Sequence, residues 1–298
     1  MELFRVERNP WGQEIIIGLS WDLLWVFAAA GILFVCVDAF VRWRWPRSLA
    51  REEDLARLTG ASDVAAEVPE RVVRHPLPSR LFHWVMAASI FVLLITAFLP
   101  ILGVKFSWVT AHWIAGLVLT GSVLFHIVHS TFWMDLRSMW ISRRDIQDAA
   151  LRFRRALGKP GPEPGKPGKY PLENKLFHHL TAVMSLTVIV TGALMMVKVD
   201  TPFWTRNPYF LPDSTWAIIY VLHGLCAVGF VTTITAHIYF AVRPDKWWIT
   251  RSMIKGWITR KEYLTHHDPA LWPVTGKSRR ARGERRPVSA GGVPERTG

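Results

Sequence analysis

The chain has 298 residues, half of them hydrophobic, a formal net charge of +13 and two cysteines. Two cysteines cannot build an iron–sulfur cluster or a thiolate zinc site. The positive charge would suit nucleic acid if it were spread over the chain, but it is confined to segments between apolar runs, a distribution that excludes a nucleic-acid partner and favours membrane topology.

Those apolar runs lie at roughly 14–41, 83–103, 108–132, 176–197 and 215–241. Each is long enough to cross a bilayer as a helix, and lipid leaves the backbone no other way to satisfy its hydrogen bonds. The reading is all-α and integral to the membrane: a four-helix bundle plus one additional N-terminal transmembrane helix. In chain order, residues 1–43 hold that extra helix. Its run includes Asp22, its leader from Met1 to Glu14 has no basic excess, and Arg42 and Arg44 follow as a stop signal. These features mark a retained helix rather than a cleaved signal peptide. Residues 44–79 form a polar cytoplasmic linker with a short helix at 50–58. Residues 80–272 carry the bundle and an amphipathic cytoplasmic end. Within them, the Pro/Gly/Lys-rich stretch 157–169 should be an extended loop. The aromatic loop 199–214, with Phe203, Trp204, Tyr209 and Phe210, should sit at a membrane interface. Residues 273–298 make a basic, disordered tail that can rest on anionic lipid.

Basic residues crowd the 42–80 and 134–175 connections and the tail after Arg243. The connections at 104–107 and 198–214 carry only Lys105, Lys198 and Arg206. The positive-inside rule then places the N-terminus outside and the C-terminus in the cytoplasm of a bacterial inner membrane.

Histidines give the bundle its chemistry. His112 and His126 are fourteen residues apart, and so are His223 and His237. Fourteen residues are almost four turns, so each pair lies within about 40° of one helix face and spans about 21 Å. Each pair therefore puts one imidazole towards each side of the membrane. Inward-facing imidazoles in lipid are suited to ligating haem iron, and the absence of a C-x-x-C-H motif means any haem is held without covalent bonds. By depth, His112 and His223 form one obvious outer pair. His83, His126, His178 and His237 all lie near the inner ends, four candidates for the two positions of an inner site. Gly116, Gly121, Gly224 and Gly229 follow the outer histidines and suit either a planar cofactor or plain helix packing. His75, His129, His266 and His267 read as ordinary interface or surface residues. A weak internal repeat relates Arg80-Leu81-Phe82-His83-Trp84 to Lys175-Leu176-Phe177-His178-His179, and Ile95-Thr96-Ala97 to Val190-Thr191-Gly192. Two similar hairpins would pack about a pseudo-two-fold axis with cofactor sites between facing helices.

The ordered set Arg80-x-x-His83-Trp84, His112-x-x-x-Gly116, Lys169-Tyr170, Leu222-His223 and His237-Ile238-Tyr239 resembles the membrane cytochrome b (gamma) subunit of respiratory formate dehydrogenases. It is also similar to the b-type cytochromes of Ni–Fe hydrogenases and thiosulfate reductases. The resemblance implies two haem b groups, with His112 and His223 on the outer and His83 and His237 on the inner. The fourteen-residue symmetry would instead pair His126 with His237. Arg80, one turn before His83, is placed to meet a propionate. The resemblance also implies a quinone, menaquinone or ubiquinone, near the inner haem, with Tyr170, Asn174, His178 and His237 as its polar surroundings. The chain departs from the formate dehydrogenase pattern in its extra N-terminal helix, in His126 and His178, and in reading Tyr170-Pro171-Leu172-Glu173-Asn174 where Gly-Gln is usual.

The function expected is electron transfer through two b-type haems, between a periplasmic redox enzyme with iron–sulfur and catalytic subunits and the quinone pool. Substrate chemistry would belong to those partners. Reversed flow, from quinol to a terminal reductase or hydrogenase-type partner, fits the same residues. A histidine-relay transporter would need broken helices and a buried carboxylate beside the histidines; Pro100 near a helix end is the sole such signal. A haem-free anchor that only docks a partner is separated by a Soret spectrum.

Overall fold

The computed structural model describes residues 3–44 and 67–274. The expected helix at 50–58 and the tail from residue 275 lie outside the described residues. Among the described residues, five helices are long and apolar enough to cross a membrane: α1 (Trp21–Arg44), α2 (Leu77–Phe98), α3 (Trp108–Trp133), α5 (Leu172–Met195, extended by a 3-10 turn to Lys198) and α6 (Asp213–Val242). Prolines set three of their starts, Pro76, Pro171 and Pro212 being the N-caps of α2, α5 and α6. The fixed φ and missing N–H of proline suit a helix entrance. The amphipathic α4 (Arg143–Ala156) lies between α3 and α5 and opens on a reciprocal Ser142–Asp145 capping box.

The sequence reading misplaced the start of the first element. Residues Phe4–Arg8 (β1) and Glu14–Leu19 (β2) form an antiparallel hairpin, and the helix begins only at Trp21. Asn9 turns the chain by accepting hydrogen bonds from the Trp11 and Gln13 amides at 3.1 and 2.9 Å. Such an Asx turn followed by three β-branched residues, Ile15 to Ile17, favours a strand over a helical turn. β2 runs along the start of α6, with Leu19 against Gly224.

α2 packs on α3 and α5 on α6 as two hairpins. One residue from each meets at the middle of the bundle: Ile90, Leu119, Met184 and Phe230. Leu119 is midway between His112 and His126, and Phe230 midway between His223 and His237. This apolar plug separates two histidine levels. The outward faces carry exposed Val183, Val190 and Ile218, as lipid requires. α1 lies against α6, where Gly31 lets the backbones approach. A Cβ there would stand 3.3 Å from Thr232 Cα, and the Thr232 hydroxyl donates to the Phe27 carbonyl at 2.6 Å. At the far end of α1, Asp38 accepts from Arg42 at 2.7 Å, Tyr239 at 2.8 Å and Arg243 at 3.2 Å.

The end of the bundle opposite the hairpin is closed by a folded cap. β3 (Arg71–Val73) pairs antiparallel with β4 (Trp257–Thr259), and α7 (Trp247–Lys255) and α8 (Arg260–His266) flank it. Val68, Val72, Ile258 and Tyr263 form its core. Residues read as linker and amphipathic tail thus fold together. Gly256, at φ +91°, ends α7; its carbonyl accepts from both the Arg74 and His75 amides, and a Cβ would lie 2.9 Å from the His75 carbonyl oxygen. The membrane-spanning part is all-α as expected, and the two small sheets lie at its ends.

Candidate functional site

At the hairpin end, His112 on α3 faces His223 on α6, with ring centroids 6.4 Å apart. Each imidazole is held from behind by a threonine of the internal repeat. Thr96 Oγ1 lies 2.8 Å from His112 Nδ1, and Thr191 Oγ1 lies 2.9 Å from His223 Nδ1. Each hydroxyl proton is already committed, Thr96 to the Val92 carbonyl at 2.7 Å and Thr191 to the Thr187 carbonyl at 2.6 Å. The threonine oxygens therefore accept from Nδ1–H. That fixes the tautomer in which Nε2 carries the free lone pair, the arrangement a metal-binding histidine needs. Gly192, in the same repeat segment, brings the α5 backbone close; its Cβ would stand 3.4 Å from His223 Cε1.

The glycines divide by what they face. Gly116 is four residues after His112 and so lies about 40° round the helix, on the same face. A Cβ built there meets nothing within 4 Å. Gly121 is nine residues on, which turns it to the opposite face; it is exposed. Gly224 packs on Leu19 and Gly229 on Met184, where an added Cβ would lie 3.1 Å from Sδ. Of the four glycines, Gly116 alone offers open space beside a facing imidazole pair.

At the cap end there are two facing pairs. His83 on α2 and His237 on α6 have centroids 6.3 Å apart. His126 on α3 and His178 on α5 have centroids 6.1 Å apart. The symmetric expectation of His126 with His237 does not describe the rings, because His126 is turned towards α5. Arg80, one turn before His83, donates to the Ile254 carbonyl at 2.5 Å through Nη1, while its Nε is buried with no hydrogen-bond partner. His129 is half-buried, stacked between Phe125 and Trp133 of the same helix.

The polar groups expected around a quinone are divided between the two histidine pairs and the base of α5. His178 faces His126, and His237 faces His83. Asn174 is half-buried in the first turn of α5. Tyr170 lies 6.4 Å from His75, with Lys169 and Arg74 over its ring. The sequence reading treated His75 and His267 as surface residues, whereas both are buried. Burial, followed by the nearby cations Arg74 and Lys169, pushes His75 down to about 3. His267 is pushed to about 3 by burial and then by Arg74. It remains neutral and bridges: Arg74 Nη1 donates to its Nε2 at 2.7 Å, and its Nδ1–H donates to the Gly168 carbonyl at 2.7 Å. This relay fastens the residues before α5 to the cap.

Two imidazoles bound trans to one iron have ring centroids about 6 Å apart, because each metal–nitrogen bond is about 2 Å. The facing pairs match that separation, and the hairpin-end pair has its tautomers set for ligation, so the residues fit haem iron. Among the described residues no group of three or more His, Cys, Asp or Glu is placed to hold a bare metal ion.

Residues 74–256 match the prokaryotic cytochrome b561 family. The chain is also similar to the formate dehydrogenase cytochrome b556 subunit of Haemophilus influenzae, at 26% identity over 211 residues that cover 66% of this chain and 81% of that protein.

Proposed function

Because this chain belongs to the prokaryotic cytochrome b561 family and serves membrane electron transfer with b-type haem, we propose that it connects a periplasmic redox enzyme to the quinone pool through haems at two depths. His112 and His223 would hold haem at the hairpin end, and His83 and His237 would hold it at the cap end. The carrying observation is the threonine-backed His112–His223 pair, with Nε2 free on both rings and centroids 6.4 Å apart. Haem iron supplies the one-electron carrier when bound. The chain's residues do the rest. Thr96 and Thr191 orient the imidazoles and raise their basicity. Gly116 leaves room for a flat group, and the plug of Ile90, Leu119, Met184 and Phe230 keeps water from crossing between levels. Held by two imidazoles at each level, the haems would carry electrons and take no substrate.

The hairpin end is the outer end and the cap end the cytoplasmic one, in accord with the basic segments that meet at the cap. A quinone binds near the His83–His237 level, where Tyr170, Asn174 and the buried His75 offer hydrogen bonds beside an aqueous boundary. The partner is an enzyme of the formate dehydrogenase kind, as the name of the Haemophilus influenzae relative suggests, and it carries the iron–sulfur and catalytic subunits expected from the resemblance. Direction of flow is a property of the partner and the quinone potential.

The test is optical. A dithionite-reduced spectrum of the purified chain should show b-type bands, and His112→Ala and His223→Ala should each remove the same component. Loss of different components would break the pairing, and absence of bands would remove the haem reading. A reporter fused after Trp272 should be active only in the cytoplasmic format.

A further inference from the structure

The internal repeat has a geometric consequence at the cap end. The pseudo-two-fold exchanges α2 with α5 and α3 with α6, so His83 corresponds to His178, His126 to His237, and Phe82 to Phe177. His112 and His223 correspond to each other, so their pair lies on the axis and occurs once. The His83–His237 pair lies off the axis, and its image is His178–His126. The structure carries both copies at the same separation, 6.3 and 6.1 Å. The surroundings are copied too. Phe82 stacks on His126 at 4.1 Å and 11°, and Phe177 stacks on His237 at 4.9 Å and 14°. Each phenylalanine precedes one histidine in the chain and covers an imidazole of the other pair, so the two rings stand between the pairs. Arg80, one turn before His83, is matched by Lys175, one turn before His178. Lys175 is buried, donates to Asp145 at 2.8 Å and to the Trp140 carbonyl at 3.1 Å, and keeps a third N–H for another acceptor.

We propose that His126 and His178 are the axial ligands of a third, non-covalently bound b-type haem at the cap end, the symmetry image of the one held by His83 and His237. The proposal rests on the haem reading of the other two pairs. It assigns His178 to iron rather than to quinone, and gives the cap end two ligand pairs on different helices.

The experiment is haem counting on the full chain, purified after expression with added haem precursor and measured by pyridine haemochrome against amino-acid analysis. The expected ratio is three haems per chain. His126→Leu and His178→Leu should each give two and lose the same component in a redox titration. His83→Leu should also give two but lose a different component. His126→Met, which can still ligate iron, should restore three with that component's potential raised. Retention of the His112–His223 component reports that each variant is folded. A wild-type ratio of two, with His126→Leu and His178→Leu unchanged, overturns the third site and leaves the proposed function intact. A wild-type ratio of two from which His126→Leu removes one also overturns it, and moves the cap-end haem to His126 and His178. A wild-type ratio of zero removes the haem reading and this inference with it.

Discussion

Thr191→Val is the sharpest probe of the outer pair. Valine keeps the shape of threonine and deletes the oxygen that accepts the His223 Nδ1 proton at 2.9 Å. The Nδ1–H is then left unpaired among apolar helices, at a cost of about 1–3 kcal/mol. Removing the hydrogen bond behind a metal-bound imidazole typically lowers metal affinity about 10–100-fold, which is about 1.4–2.7 kcal/mol. The two estimates agree. A less basic imidazole also stabilises ferric iron less, so the midpoint potential of that component should rise. The assay is transfer of haem from the purified chain to excess apomyoglobin, with a parallel redox titration. Thr191→Val should speed loss of one component about 10–100-fold if association is unchanged, and Thr96→Val should act on the same component through His112. Thr191→Ser should restore the wild-type behaviour. Thr233, back-bonded to the Gly229 carbonyl at 3.0 Å but hydrogen-bonded to no histidine, is the control. If Thr191→Val and Thr233→Val behaved alike, the threonine's role in setting the tautomer would be refuted.

Gly116→Leu should fill the space beside His112 and abolish the hairpin-end component. Gly121→Leu, on the opposite face, should leave the spectrum unchanged, and equal effects from the two would contradict the assignment of faces. Gly31→Leu forces a side chain against the Thr232 backbone, now 3.3 Å from a Cβ. It should free α1 from α6, seen as faster protease cleavage after Arg44, while the b-type bands persist. The cap should weaken in acid. His267 has its folded pKa pushed to about 3, so below pH 6.5 the unfolded chain binds a proton that the folded chain does not. Stability then falls as pH drops from 6.5 towards 3, by about 2 kcal/mol at pH 5 from this one residue. Limited proteolysis of the cap between pH 7 and 5 should show that slope, and His267→Gln should reduce it to the share carried by His75, which is pushed down to about 3 beside it; an unaltered slope would point to other groups.

The spans and the ligand candidates were legible in the sequence because both depend on one-dimensional quantities, hydropathy over a window and spacing along a helix. The threonines were visible as part of a repeat, but their role was not. A hydrogen bond from Thr96 on α2 to His112 on α3 needs the rotation of two packed helices, which no single-helix periodicity fixes. The division of the glycines could have been read from the wheel, since nine residues is half a turn out of phase with His112. The hairpin at the N-terminus was missed because Ile15–Ile17 extend the hydropathy of α1 without a break. His75 and His267 looked exposed because each sits in a polar stretch, and only the pairing of β3 with β4 brings those stretches together. The same pairing explains why a linker and a tail, each too polar to fold alone, make a core.

The β3–β4 sheet also bears on the order in which the protein is made. Arg71 pairs in register with Thr259, so residues emerging just before α2 wait for residues emerging just after α7. Until then the α2–α3 hairpin can insert and stand in the bilayer, but nothing fixes α2 against α6, and His83 has no His237 to face. Long-range pairings of this kind form late. The clasp is thus among the last contacts the chain can make. A chain truncated before Trp257 would leave inserted helices with an open, unpaired imidazole at the cap end, a form without the clasp that holds the finished bundle.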